Sequence, residues 1–189
     1  MFALIYGLVG LGVLAALGGI IIYNGLVSKS QMAKNGWSDV DVQLKRRADL
    51  IPQLVETVKG YAAHETTLFA DITEKRTRAM AAGDDLNARG TAESALSQPV
   101  TRLMAVAEDY PDLKASQNFL DLQNELSDTE SKIEMARRFY NGAVRELNTA
   151  VQSFPANLLA GPMGFEMRGF FEVETADRAV PSIDLGGST

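Results

Sequence analysis

The stretch FLDLQNELSDTESKIEMARRFYNGAVRELNTAVQSF, residues 119–154, decides the fold of this chain. Its apolar side chains alternate steps of three and four residues, which is the 3.5-residue repeat of long helices packed side by side. The repeat occupies Phe119, Leu122, Leu126, Thr129, Ile133, Ala136, Tyr140, Ala143, Leu147, Ala150 and Phe154. Charged residues fill most of the other positions, and Pro155 ends the pattern. The stretch therefore predicts one long helix with a single buried seam.

A second helical pattern precedes this stretch. Apolar residues recur at helical spacing from Trp37 to Tyr61 and can be followed to about Met80. The pattern keeps its phase through Pro52, so we expect this proline to bend the helix rather than end it. Trp37 and Tyr61 are interpreted as core residues, and the alternative is an exposed aromatic docking patch.

A third helical pattern lies between two turn signals. Gly83-Asp84-Asp85 predicts a turn, and Tyr110-Pro111-Asp112 predicts a break after which Pro111 sits in the first turn of the next helix. Pro99 falls on the apolar side of the pattern and should kink the helix. The predicted inner face consists of Ala92, Leu96, Leu103, Val106 and Tyr110.

The beginning of the chain is a candidate membrane span. The first 28 residues carry no charged side chain, and Phe2–Tyr23 is almost entirely apolar. As a helix this segment measures about 33 Å, against about 30 Å for the hydrocarbon core of a bilayer. A signal peptide would have a basic start and a shorter apolar core, so an uncleaved anchor is favoured.

Small residues and flanking charges suggest how this anchor is used. One side of the span carries Gly12, Ala15, Ala16 and Gly19, and such stripes let helices approach closely in lipid, although Gly and Ala are common in membrane helices generally. Lys29 and Lys34 follow the span, whereas no basic side chain precedes it. Because basic flanks tend to stay in the cytoplasm, we predict a single-pass protein of the inner (cytoplasmic) membrane with its N-terminus outside.

These patterns predict an all-α protein, in which an N-terminal transmembrane helix is followed by an antiparallel bundle of long helices. Residues 1–27 form the anchor, 28–155 the bundle, and 156–189 an irregular segment rich in Gly and Pro. Phe165, Phe170 and Phe171 are too apolar for a free tail, so this segment should dock on the bundle. Beyond about Thr175 we expect disorder.

Composition argues against most kinds of chemistry. The net charge of −6 gives no general affinity for nucleic acid, and the absence of cysteine excludes thiol catalysis and zinc thiolate sites. His64 is the single histidine, and Tyr61 stands where a paired metal ligand would be needed. No glycine-rich phosphate loop or nucleophile elbow occurs. We therefore expect no catalytic, metal or cofactor-binding residues and a chain that is not an enzyme.

Four polar residues are candidates for assembly or partner binding. Arg47 interrupts the apolar seam of its helix, which indicates a buried or interfacial ion pair. Arg137, Arg138 and Asn141 form a polar cluster on the long helix, which could serve self-assembly or ordinary hydrogen bonding between helices. Lys45 and Arg46 lie too far along the helix to touch lipid headgroups, and we expect them to be solvated or paired, for example with Asp41 or Asp49 at helical spacing.

The chain resembles the LemA family. The resemblance rests on DVQLKRR at residues 41–47, DLIPQLV at 49–55, ETVKGY at 56–61 and YPDLKA at 110–115, with shorter matches such as RRFYN at 137–141, and it covers about residues 23–172. It implies a membrane anchor and a bundle of long antiparallel helices. It does not imply an enzymatic activity. A similar magnetosome-associated branch implies a role in membrane organisation. Gly36 and Pro99 depart from the family pattern and put the local helix geometry in doubt.

Two classes of function follow as hypotheses. The first is a self-associating scaffold whose partners are the lipid bilayer, further copies of the chain, and an unidentified membrane or cytoplasmic protein. The second is a membrane-tethered sensor that relays a signal by shifting helices. An enzyme with an unrecognised site is a minor third reading.

Overall fold

The computed structural model describes residues 1–173, and the predicted disorder beyond Thr175 concerns residues outside this range. The described part is helical and contains no strand. Its helices are α1 (Phe2–Lys59), α2 (Thr66–Ala81), α3 (Leu86–Glu108), α4 (Pro111–Lys114), α5 (Gln117–Gln152) and α6 (Asn157–Ala160). The predicted all-α fold class, with a long apolar N-terminal helix and bundle-like packing, is confirmed.

The chain divides into two compact units. The first unit consists of Met1–Leu50 and Asp121–Phe171, and the second of Ile51–Leu120 with residues 172–173. The first unit contains most of α1 and α5 together with α6, and the second contains α2, α3 and α4 with the last residues of α1 and the first residues of α5.

In the first unit, α1 and α5 run antiparallel. Lys29 pairs with Glu146 at 2.9 Å, and further along Arg46 pairs with Glu125 at 2.8 Å. Between these pairs the helices approach closely at Gly36, where an added Cβ would lie 3.1 Å from the Cα of Tyr140. The departure from the family pattern at this position therefore does not interrupt α1, and it falls where a larger side chain would have little room.

The seam predicted for the long helix is buried as expected. Eight of its residues are buried, namely Phe119, Leu122, Leu126, Thr129, Ile133, Tyr140, Ala143 and Leu147, and Ala136 and Ala150 are half-buried. The hydroxyl of Thr129 donates to the carbonyl of Glu125, which satisfies the polar member of the seam. Phe154 is the exception, because it lies beyond the end of α5 and is 80% exposed.

Helix α1 unites the candidate anchor with the first bundle helix. It continues through Pro52, in agreement with the expectation that this proline does not end it. The predicted extension to Met80 is wrong, because α1 stops at Lys59 and α2 begins only at Thr66. Gly60 lies at the break, and Tyr61 just after it is 46% exposed rather than part of the core.

The second unit is organised around α2 and α3. Gly83 has φ +60° in the turn between them, a conformation that favours glycine, and Asp85 caps α3 by accepting hydrogen bonds from two backbone amides. The predicted inner face of α3 is partly wrong, because Val106 and Ala92 are only half-buried. The buried face is Arg89, Glu93, Leu96, Pro99, Val100, Leu103 and Ala107, with Gly90 beside it. Arg89 and Glu93 form an ion pair of 3.0 Å in this face.

The break at residues 110–116 is longer than predicted. Pro111 occupies the first turn of the short helix α4, as its fixed φ favours, but the long helix starts only at Gln117. α3 continues through Pro99 to Glu108.

Candidate functional site

The most specific polar contacts of the first unit hold residues 168–171 against α5. The side-chain amide of Asn148 donates to the carbonyl of Arg168 and accepts from its amide, both at 2.9 Å. Asn141 makes the same double contact with Phe171, at 3.0 and 2.9 Å. Each asparagine thus pairs with the backbone as a neighbouring strand would.

The spacing of the two asparagines matches the segment that they bind. Seven residues of an α-helix rise about 10.5 Å, and three residues of extended chain span about 10 Å. Asn148 and Asn141 are seven apart on α5, and Arg168 and Phe171 are three apart on the segment. The segment therefore runs extended and antiparallel to α5, with both asparagines in register.

Aromatic packing fixes the end of this segment. Phe171 is fully buried, and its ring lies 5.3 Å from that of Trp37. Trp37 also packs against Tyr140 at 5.6 Å, so the predicted core role of Trp37 agrees with its contacts although it is only half-buried. Phe171 is thus anchored next to the close approach of α1 and α5 at Gly36.

Tyr140 adds a third hydrogen bond to the same segment. Its hydroxyl donates to the carbonyl of Gly169 at 2.9 Å. Burial raises the pKa of Tyr140 above its usual 10, and the nearby Arg168 guanidinium opposes this shift by stabilising the phenolate. The hydroxyl is therefore a neutral donor across the physiological pH range.

Arg47 forms the ion pair that its place in the seam indicated. Its guanidinium is almost completely buried, and Nη1 lies 3.0 and 3.2 Å from the two carboxylate oxygens of Glu130, which is half in solvent. Arg46, expected to be solvated or paired, is half exposed and pairs with Glu125 on α5. A buried arginine whose partner sits on the facing helix penalises any shift of α1 against α5, because its charge would lose that partner.

The polar cluster on α5 divides in two. Asn141 faces the C-terminal segment, whereas Arg138 is exposed and pairs with Glu134 one turn earlier at 3.1 Å. Arg137 is half-buried. Close to Arg138, the apolar side chains of Met135 and Phe139 are about half exposed. This part of α5 combines apolar and arginine side chains, as the centres of protein interfaces commonly do.

The small-residue stripe of the anchor lies open. Gly12, Ala15 and Ala16 are exposed and Gly19 is half-buried. A Cβ added at Gly12 or Gly19 would meet no other atom of the described chain within 4 Å. This side of α1 has room for a second helix.

The described residues hold no arrangement with an evident chemistry. His64 is exposed, and residues 1–173 contain no group of three or more side chains that could hold a metal ion. An open groove of about 550 Å³ lies between the end of α1 and α2. The charged residues of its rim include Glu56 with Lys59 and Glu74 with Arg78, which pair with each other at the surface. Such a groove can accept a side chain but offers no activated nucleophile.

Sequence reasoning missed Asn148 as a binding residue. The signal was present, since Asn141 and Asn148 lie two turns apart on the same edge of the seam. It could be interpreted only together with an extended segment of matching length, which the pattern of Gly and Pro after residue 156 does not specify. The buried Arg89 and Glu93 were missed because the apolar phase of α3 was assigned from its larger side chains.

Comparison with known proteins gives a consistent result. The LemA family model matches residues 36–185 of the chain. Magnetosome protein MamQ 2 of Paramagnetospirillum magneticum is 26% identical, with 82% of this chain and 66% of that protein covered. Magnetosome protein MamQ of Magnetospirillum gryphiswaldense is 25% identical with the same coverage, and protein LemA of Metamycoplasma hominis is 24% identical, with 82% and 71% covered. The chain thus spans slightly less than two thirds of the MamQ proteins' length.

Proposed function

Since the chain belongs to the LemA family, we propose that it is a membrane-anchored helical scaffold that self-associates and organises membrane. In this proposal the first part of α1 spans the bilayer once. The α1–α5 pair then presents a fixed surface to further copies of the chain and to a membrane or cytoplasmic protein partner.

The continuity of α1 carries this proposal. The helix is long and apolar enough in its first part to cross a membrane, and it continues without interruption to Lys59. No flexible linker separates Tyr23 from the residues that pair with α5, of which Lys29 is the first with an ion pair. A continuous helix holds a soluble surface at a fixed height and orientation, which suits a scaffold better than it suits an enzyme that must meet diffusing substrates.

Two surfaces support self-association. The open stripe at Gly12 and Gly19 can receive a second helix within the membrane, where close backbone approach favours association. Outside the membrane, Met135 and Phe139 expose apolar surface on α5 beside Arg138. The MamQ relatives are named as magnetosome proteins, which supports a place among proteins that work at an internal membrane.

The mass of the detergent-solubilised particle tests the proposal. We expect several protomers per particle, and cross-links between copies in native membranes. The Gly12→Leu variant should shift the mass toward the monomer. Because an added side chain at Gly12 meets no other part of the described chain, the effect cannot be ascribed to strain within one copy.

A matched pair of variants tests the surface on α5. Met135→Glu should reduce self-association, whereas Val42→Glu on α1 should leave it unchanged, although both side chains are similarly exposed. A strictly monomeric wild-type particle without neighbours in membranes would overturn the scaffold proposal.

The compartment is tested separately. We propose that the helical units lie in the cytoplasm, on the side of Lys29 and Lys34, and that the membrane is the inner one. Protease added to spheroplasts should then leave residues 28–173 intact until the membrane is permeabilised. Digestion from outside would overturn the orientation without affecting the scaffold.

A sensor remains the second candidate, because the same continuous helix could transmit a rotation or tilt from the span to Arg47 and Glu130. Spin labels at Val42 in the first unit should then report two distances to the membrane under different stimuli. A single distance under all conditions would favour the static scaffold.

A further inference from the structure

Exposed apolar side chains concentrate in one place outside the span. Phe154 is 80% exposed and Leu158 64%, and Met163 and Met167 follow them within the same loop. Residues 147–165 contain no Asp, Glu, Lys, Arg or His. Outside residues 1–28, no other stretch of this length in the chain lacks charge. Single exposed apolar side chains are common on protein surfaces, but several of them in one uncharged loop form a patch that calls for an explanation.

One ion pair marks the start of this uncharged zone on both helices. Lys29 is the first charged side chain of α1, and Glu146 is the last charged side chain of α5. The two pair with each other at 2.9 Å. From that pair toward the N-terminus of α1 and toward the C-terminus of α5, the two helices lose their charges at the same level.

The helix register places the loop beside the span. Three contacts across α1 and α5 join residues whose numbers add to between 175 and 177, namely 29 with 146, 36 with 140 and 47 with 130, and the pair of the long side chains Arg46 and Glu125 adds to 171. The register of those three contacts puts Gln152, the last residue of α5, at the level of residues 23–25, where the apolar segment ends, and Phe154 follows two residues later. The rings of Tyr23 and Phe165 are 5.7 Å apart, which places the far end of the loop at this level too.

The burial pattern of α1 agrees with this placement. Ile22 is half-buried, whereas Ile20 and Ile21 are exposed. Ile22 lies four residues before the buried Leu26, on the side of α1 that faces α5. The α1–α5 contact therefore extends into the last turn of the apolar segment.

We propose that residues 153–165, here termed the membrane loop, insert into the acyl–headgroup boundary of the bilayer that α1 spans. The inference rests on the proposed anchoring of α1. The occupant of the exposed apolar surface is lipid, because the loop is continuous with the span through Tyr23 and lacks charge as the span does. Amphipathic elements of this kind bury their apolar side about 5–10 Å into the boundary. Tyr23 occupies the level where aromatic residues are enriched in membrane proteins.

The absence of cysteine makes a site-specific test direct. Single cysteines are introduced by Leu158→Cys in the membrane loop, by Val42→Cys as an equally exposed control on α1, and by Leu11→Cys as a reference within the span. Each full-length variant carries an environment-sensitive NBD label. The protein is reconstituted into vesicles of phosphatidylcholine and phosphatidylglycerol, with or without nitroxide-labelled phosphatidylcholine, and circular dichroism checks that the helices are retained.

The expected result separates the loop from its control. The label at residue 158 should emit at shorter wavelength than the label at residue 42 and be quenched roughly twofold or more by nitroxide lipid, because it lies among acyl chains. Iodide in the aqueous phase should quench the label at residue 42 more strongly than the label at residue 158. The label at residue 11 should behave as the one at residue 158 or be quenched more strongly.

Other outcomes overturn the inference in distinguishable ways. If iodide quenches residue 158 and nitroxide lipid does not, the loop lies in water. If neither quencher reaches it, another protein copy covers it. In both cases the inference fails while a quenched residue 11 leaves the anchor intact. If nitroxide lipid does not quench residue 11 either, the proposed anchoring fails together with the inference.

Discussion

Two parts of helix α1 both carry large apolar side chains but place them in different environments. In residues 2–23 almost all the large apolar side chains are exposed, as Leu11 is, whereas in residues 24–50 those on one side of the helix are buried, as Leu44 is, and Val42 on the outer side is exposed. The second part carries charges on its outer side and the first carries none. A helix that is apolar on every side needs a surrounding apolar medium, while one that is apolar on one side needs a partner helix. The difference between the two parts therefore lies in the polar residues, not in the apolar ones.

The largest expected effect separates the two parts directly. Leu44→Ala should lower the free energy of unfolding by about 2–5 kcal/mol, because it opens a cavity at a side chain that is 1% exposed. Leu11→Ala should leave it nearly unchanged. Chemical unfolding of the micelle-bound protein can be followed by the fluorescence of Trp37, the single tryptophan. Equal losses in both variants would contradict the comparison.

The next largest effect is expected when Phe171, which packs on Trp37 in residues 24–50 of α1, loses its hydrogen bonds. Asn141→Ala deletes both hydrogen bonds to Phe171 and should cost about 1–3 kcal/mol, since the buried backbone groups lose their partner. Trp37 emission should shift to longer wavelength as Phe171 detaches. Asn124→Ala, at an exposed position of α5, serves as the control and should change neither quantity.

A smaller loss of stability is expected when the ion pair of the buried Arg47, in residues 24–50 of α1, is weakened. Glu130→Gln should cost about 1–2 kcal/mol, because it weakens the pairing of a nearly buried Arg47 while leaving half of the residue 130 side chain in water. Glu125→Gln should cost less than about 1 kcal/mol, since both members of its pair with Arg46 are exposed. Added salt should reduce the loss of stability caused by Glu125→Gln and leave most of the loss caused by Glu130→Gln. If the two variants are equally destabilised at low and high salt, burial is not what distinguishes the pairs.

The smallest effect concerns pH. The pKa of Tyr140 is raised in the folded protein, so its contribution to stability is complete below the unfolded value near 10 and is lost as the pH rises through the folded value. Tyr140→Phe should cost about 0.5–1.5 kcal/mol at neutral pH through the lost bond to Gly169. The difference in the free energy of unfolding between Tyr140→Phe and the wild type should become smaller above pH 10. A gap that widens there would reverse the assigned direction.

The sequence predicts long amphipathic elements well, because their buried positions repeat. The seam from Phe119 to Leu147 is buried where the repeat places it, and Arg47 forms the ion pair that its position in a seam indicates. Periodicity does not report interruptions, however. Leu68 and Ile72 are buried in phase with α1 although they belong to α2, so the break near Gly60 leaves no trace in the apolar pattern.

The sequence pattern predicts only part of the candidate site. Asn141 stands in a recognisable polar cluster, but the partners of Asn141 and Asn148 are backbone groups of an irregular segment. Backbone groups are the same in every residue, so a sequence pattern does not identify them. Phe154 shows the opposite failure, since it continues the apolar repeat for one step beyond the end of the helix.

If α1 spans a bilayer as proposed, its uninterrupted course through Tyr23 would make the protein sensitive to bilayer thickness. A span that is longer than the local hydrocarbon layer adapts by tilting. From Tyr23 to Leu50 the helix measures about 40 Å, so a change of about 10° in tilt would displace Leu50 sideways by about 7 Å. Sterols, lipid chain length or curvature could thereby reposition the surface around Arg47 without any ligand.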